Sequence, residues 1–224
     1  MTGIWILVLV IVISALPIVP VFIWFRVIRF PLSPWWFLGF LFAGAVAPLF
    51  AGFLQSLFPP LFEIDMGTLL FKLFVQIALT EEAGRLLLFL VFLSLHRRFS
   101  RRVFGAASLS LGAAMGLLGG LGFAVIETAS YGAADPGAAL LRSFTAVPLH
   151  SACGCRDGIA AASLPRSPFR ALVFFLSAIA VHGMYNFMVV SPGLPLGFPI
   201  ALVFAALFSS IQVIRWGVGM TASV

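Results

Sequence analysis

The sequence predicts an all-α fold: a polytopic membrane helix bundle of about seven transmembrane helices, forming a single integral domain over residues 1–224. Two observations predict it. Of 224 residues, 62% are hydrophobic and only 9% charged, and the mean hydropathy is +1.17. A soluble domain carries about a quarter charged residues and roughly half apolar ones, so the excess apolar surface faces lipid. The apolar residues also fall in runs of about twenty, the length at which a helix crosses the hydrocarbon core. Water-soluble enzymes and nucleic-acid binders are thereby excluded. Thirteen basic against seven acidic residues give +6, but the basic residues cluster in short loops, the orientation signal of membrane proteins and not a phosphate-binding face.

The segments are taken in chain order. Residues 3–25 form an apolar run with no basic residue before it, too long for a signal sequence, and are read as a retained span. Residues 34–57 begin with Pro34 and the belt residues Trp35 and Trp36; spans over 67–95, 104–131, 139–160, 171–190 and 197–214 follow, with Trp216 at the last border. Arg26, Arg29, Arg97, Arg98, Arg101, Arg102, Arg156, Arg166, Arg170 and Arg215 fall on one side, and Glu63, Asp65 and Asp135 on the other, beside Phe58-Pro59-Pro60 and Ser191-Pro192-Gly193. An outside N-terminus and a cytoplasmic C-terminus follow from this bias. No repeat and no low-complexity tail is present, so function lies inside the bundle, in a core over residues 67–190. Spans one, two and seven read as lipid-facing support. Cys153 and Cys155 diverge by about 200° on a helix and read as packing residues.

Ionisable groups within spans are costly, about 2.5–3.5 kcal/mol near a helix centre, and need a reason. Span three carries Glu81, Glu82 and Arg85. Arg85 is four residues from one glutamate and three from the other, so it can hold one ionised while the second acts as a general base; which is which stays open. Span four has Gly112, Gly116, Gly120 and Ala124 at four-residue spacing, a stripe that admits close helix approach. Glu127 follows it, with Phe123 one turn before and Tyr131 one turn after. Span five aligns Ala146, His150, Gly154 and Gly158, and span six pairs His182 with Asn186 four residues on. His96, beside Arg97 at a border, reads as solvated, and the remaining acids as loop residues. Carboxylate, imidazole and amide drawn from four helices are the parts needed to activate a water, stabilise an oxyanion and protonate an amine. Peptide-bond hydrolysis within the membrane fits. No serine or cysteine stands beside a base, and H-E-x-x-H is missing from the sequence.

At these residues the sequence resembles the PrsW family of intramembrane proteases, within the CAAX prenyl endopeptidase and bacteriocin-processing (CPBP, ABI) superfamily. The matching pieces are E-E-x-x-R at Glu81, Glu82 and Arg85, F-x-x-x-E at Phe123 and Glu127, the isolated His150, and H-x-x-x-N at His182 and Asn186. The resemblance implies a glutamate-dependent or metal-assisted endopeptidase. Glu81 or Glu82 would activate water, Glu127, His150, His182 and Asn186 would complete the site, and Arg85 and Phe123 would support it. It also implies a prokaryotic plasma-membrane enzyme that clips a membrane-anchored protein, such as a single-span anti-sigma factor, on the outer side. Arg85 stands where PrsW-like sequences often have Lys, and Asn186 where they often have Asp; the CAAX-type branch prefers Asn there but has His in place of Glu127.

The spacing leaves two matters. On these boundaries Glu127 lies nine residues beyond the centre of its span, roughly 13 Å from the midplane where the other groups sit, a gap that tilt or a shifted boundary could close. No helix offers two strong ligands one turn apart, so a glutamate-activated water without a cofactor is the expectation. Zinc held by Glu127, His150 and His182 is the alternative. A non-catalytic scaffold or chaperone, a CAAX-type processing protease and a proton-coupled transporter are the competing readings; the missing repeat speaks against the transporter.

Overall fold

The computed structural model describes residues 2–60, 65–99 and 109–221, all the regular structure of which is helical. Glu63, Arg101 and Arg102 lie outside the described residues. The chain forms α1 (Thr2–Ala15), α2 (Ile18–Val27), α3 (Pro34–Ser56), α4 (Met66–Phe71), a π-helical stretch (Lys72–Leu79), α5 (Thr80–Phe99), α6 (Leu109–Ala134), α7 (Pro136–Phe144), α8 (Ala146–Ser163), α9 (Pro168–Val190) and α10 (Gly197–Thr221). Five segments are long and apolar enough to cross a membrane: Val8–Val27, Pro34–Ser56, Leu109–Ala134, Pro168–Val190 and Gly197–Trp216. Two further segments, residues 66–99 and α8, carry buried ionisable side chains, and α8 is buried along nearly its whole length.

Local chemistry sets the boundaries. Pro17 has no amide hydrogen and separates α1 from α2, so the first apolar run is kinked. Arg29 takes a left-handed turn with φ 51° to end α2, and Ser33 caps α3 by accepting from the Trp36 amide, with Pro34 in the first turn. Asp65 caps α4, accepting from the Thr68 amide at 2.6 Å, which holds its carboxyl below the usual range. Asp135 and Ser167 cap α7 and α9 in the same way.

The expected span over 139–160 is instead two helices. Thr145 leaves the helical region at φ −121° and ψ −63°, so α7 stands apart and α8 starts only at Ala146. This shifted boundary removes the depth gap. His150 is four residues into α8 (150 − 146) and Glu127 seven from the end of α6 (134 − 127), at the same end of the bundle.

α6 is the central helix. The stripe of Gly112, Gly116 and Gly120 lies directly on α8: a Cβ at Gly116 would strike the Gly154 carbonyl, and one at Gly120 the carbonyl of His150. The opposite face of α6 meets α3, where Gly44 is against Gly119. Small residues on both faces bring the two neighbouring backbones into contact with α6. The third histidine, His96, is buried against Trp36, with ring centroids 4.6 Å apart, and is not solvated as its border position suggested. Cys153 and Cys155 are free, buried packing residues, as the sequence indicated.

Candidate active site

The glycine contact fixes the site, because His150 is one turn from Gly154 and Glu127 follows Gly120 along the facing helix. His150 Nε2 stands 2.6 Å from Glu127 Oε2. From α5, Glu82 and Arg85 form an ion pair with both side chains fully buried. Glu82 Oε1 also receives His182 Nδ1 from α9 at 2.5 Å. Arg85 Nη1 is 2.9 Å from His150 Nδ1, and its guanidinium lies 4.6 Å over the Phe123 ring. Glu81, one residue before Glu82, turns toward a different space: its Oε2 is 3.7 Å from His182 Nε2, and its Oε1 accepts from Gln55 Nε2 at 3.4 Å. The His150 and His182 rings meet edge to face at 4.9 Å.

Seven of the eight residues singled out in the sequence (Glu81, Glu82, Arg85, Phe123, Glu127, His150 and His182) thus form one connected cluster. The eighth, Asn186, lines a cavity of about 410 Å³ together with Glu81, Glu127, Arg142 and Tyr185. The two glutamates of span three are therefore not equivalent. Each has a buried Oε2 without a hydrogen-bond partner, but Glu81 faces the cavity, whereas Glu82 is held through Oε1 by Arg85 and His182 and does not line it.

Three participants were missed in the sequence. Asp157, on α8, was not singled out, but it is fully buried and its Oδ2 lies 3.5 Å from Arg85 Nε. The signal was present: Asp157 is seven residues from His150, hence on the same helical face, and a charge inside a predicted span. Arg142, on α7, donates to Glu127 at 2.6 Å and lies 4.0 Å over Tyr131. Gln55 comes from α3 and Pro199 and Ile200 of the cavity wall from α10, so spans two and seven do more than face lipid. Arg156, expected at the cytoplasmic border, lies inside α8 and donates to Ser209 and Ser210 of α10.

The metal-ligand trio offered by the geometry is Glu81, His150 and His182, whose ligand atoms lie within 4.8 Å of one another; Glu127 is not in it. Two of the three suit a divalent metal. Glu82, paired with Arg85, is a carboxylate, so His182 donates from Nδ1, which in the neutral ring leaves the lone pair on Nε2, the usual support for a metal-bound imidazole. His150 does not suit it: a guanidinium only donates, so the nitrogen facing Arg85 accepts and the ring proton sits on Nε2, toward Glu127. As its hydrogen bonds stand, the trio supplies two lone-pair donors where a catalytic zinc takes three protein ligands.

The family model described as PrsW family intramembrane metalloprotease matches residues 33–211, which include every residue of this cluster. No curated protein and no solved structure matches the chain.

Proposed function

We propose, for a chain that belongs to the PrsW family of intramembrane metalloproteases, that it hydrolyses a peptide bond of a membrane-anchored protein with a water activated by Glu81. The observation that carries this reading is the division between the two glutamates: Glu82 is held by Arg85 and His182, whereas Glu81 presents an unpartnered oxygen beside the cavity.

Glu81 Oε2 and His182 Nε2, 3.7 Å apart, are two acceptors that fit one water donating a hydrogen to each. Such a water keeps its lone pair for the scissile carbonyl, and Glu81 takes the proton as the new C–O bond forms. His182 holds its orientation through Nδ1 and Glu82. The Asn186 carboxamide is the donor for the developing oxyanion, and the His150 Nε2–H, bonded to Glu127, holds that carboxylate at the cavity wall. Glu81 then returns its proton to the leaving amine. Leu73, Ile77, Val189 and Ile200 in the cavity wall accommodate apolar side chains of the substrate.

The four motifs in order support placing the chain in the wider CPBP superfamily. Segments 66–99 and 146–163, added to the five apolar ones, support seven spans, and the arginine bias supports an outside N-terminus and a cytoplasmic C-terminus in a prokaryotic plasma membrane. The cavity then opens toward the outer side, near Asp135 and Ser191, which suits cleavage of a single-span anti-sigma factor there.

The test compares new N-termini of membrane proteins, by mass spectrometry, in deletion cells carrying either the original chain or its Glu81→Gln form. Termini that appear only with the original are expected. Identical profiles, with both chains rescuing the deletion, would make the polar cluster architectural and the protein a scaffold.

A further inference from the structure

Asp157 has no part in the reaction just described, yet it is fully buried and both of its oxygens are without a hydrogen-bond partner. What it does have is Arg85, at 3.5 Å from Nε, and beside it the Glu82 carboxyl that the same guanidinium holds. We infer that Asp157 is a positioning residue: through Arg85 it fixes the tautomer of His150, making that ring a hydrogen donor toward Glu127 and leaving His182 as the imidazole with a free lone pair.

The argument rests on the shape of the guanidinium. It is a planar fork with no acceptor and no freedom to lose a proton. One arm is committed to Glu82 and the other to His150 Nδ1, while Nε points at Asp157. Phe123 closes one face of the plane. Two carboxylates, from α5 and α8, therefore define the plane's rotation, and without Asp157 the fork can turn about its bond to Glu82 and leave His150. Asp157 and His150 are on one face of α8, two turns apart, so a single rigid helix carries both the anchor and the ring whose tautomer it sets. The two histidines then hold opposite tautomers: His150 with its proton on Nε2, His182 with its proton on Nδ1, toward Glu82. The catalytic consequence rests on the protease reading; the tautomers do not.

The test uses the full chain in lipid nanodiscs with 15N-labelled histidine, the ring nitrogens being read by NMR without substrate. The His150 and His182 signals are assigned by their loss in His150→Gln and His182→Gln. The wild type is expected to show His150 protonated at Nε2 and His182 at Nδ1. Asp157→Asn, whose carboxamide oxygen can stand where Oδ2 faces Arg85 Nε, retains this pattern and a rate close to wild type. Asp157→Leu transfers part of the His150 population to the Nδ1–H form and lowers kcat by about 10- to 100-fold with KM unchanged. Where the leucine form does not insert, Asp157→Ser, too short to reach Nε, replaces it with the same expectation. A proton on His150 Nδ1 in the wild type overturns the inference. So do wild-type His150 signals in the leucine or serine form. One equivalent of zinc that shifts the Nε2 signals of both rings in the wild type overturns it as well. An unchanged tautomer pattern in a chain that cleaves nothing would fault only the protease reading.

Discussion

Glu82 and His182 are a hundred residues apart in sequence, yet their side chains meet through Oε1 and Nδ1 at 2.5 Å in the fully enclosed centre of the bundle. This one bond separates the roles of adjacent glutamates. Glu82 is the counter-charge for Arg85 and the orienting partner of an imidazole, so its neighbour Glu81 is left to face the cavity.

Both glutamates are expected to be required for cleavage, but for different reasons, which thermal unfolding in detergent separates. Glu81→Gln removes an acceptor beside the cavity and leaves the Arg85 pair intact, so its melting temperature stays close to wild type. Glu82→Gln leaves a buried guanidinium short of its carboxylate and is expected to lose about 3–5 kcal/mol. Cleavage that survives Glu81→Gln would remove that residue from the role of base.

Glu127 gathers His150 Nε2 and Arg142 Nη2 on a single oxygen, at 2.6 Å each. Glu127→Gln still offers His150 an acceptor but gives up the charge, and a loss of about tenfold in kcat is expected. Glu127→Leu leaves both donors unpaired and is expected to cost about a hundredfold. Steady-state kinetics on a single-span substrate would show the order, and equal rates for the two variants would count against the Glu127–His150 bond as part of the site.

Incubation with 1,10-phenanthroline is expected to leave the cleavage rate unchanged, since His150 Nε2 carries a proton and the trio with Glu81 and His182 is one lone pair short. Loss of activity that added zinc restores would make Glu81 a ligand in place of a base. Metal content of the purified protein, read by mass spectrometry, gives the same answer without substrate.

What the sequence disclosed followed from the cost of placing charge in lipid. Glu81, Glu82, Arg85, Glu127, His150 and His182 stood out because each interrupts an apolar run, and they meet in the structure. Asp157 obeyed the same rule and was not singled out; Arg156 beside it, expected at the border, is held inside by Ser209 and Ser210. The break at Thr145 had a signal that went unread: Pro148 has no amide hydrogen and its ring clashes with the carbonyl of residue 144, so the helix from 136 ends there and α8 starts afresh with the proline in its first turn. Hydropathy read through that break as one span. Gln55 was invisible for another reason, since its partner Glu81 lies 26 residues away and only tertiary packing pairs them.

The glycine contact between α6 and α8 gives the last prediction. Glu127 and His150 are on these two helices, and their separation is set by backbones that touch at Gly116 and Gly154. A leucine at Gly116 meets the Gly154 carbonyl, which cannot move without moving α8, so the helices must part. Gly116→Leu is expected to break the Glu127–His150 bond and to lose both cleavage and several kcal/mol of stability, as overpacking of a tight interface does, typically about 1–3 kcal/mol or more. Gly52→Ala, on α3 with no atom within 4 Å of the added carbon, is the matched control and is expected to leave both unchanged. A crosslink between cysteines placed at the ends of α6 and α8 reads the separation directly. If Gly116→Leu keeps full activity with the helices in place, the spacing of the two site residues is set elsewhere in the bundle.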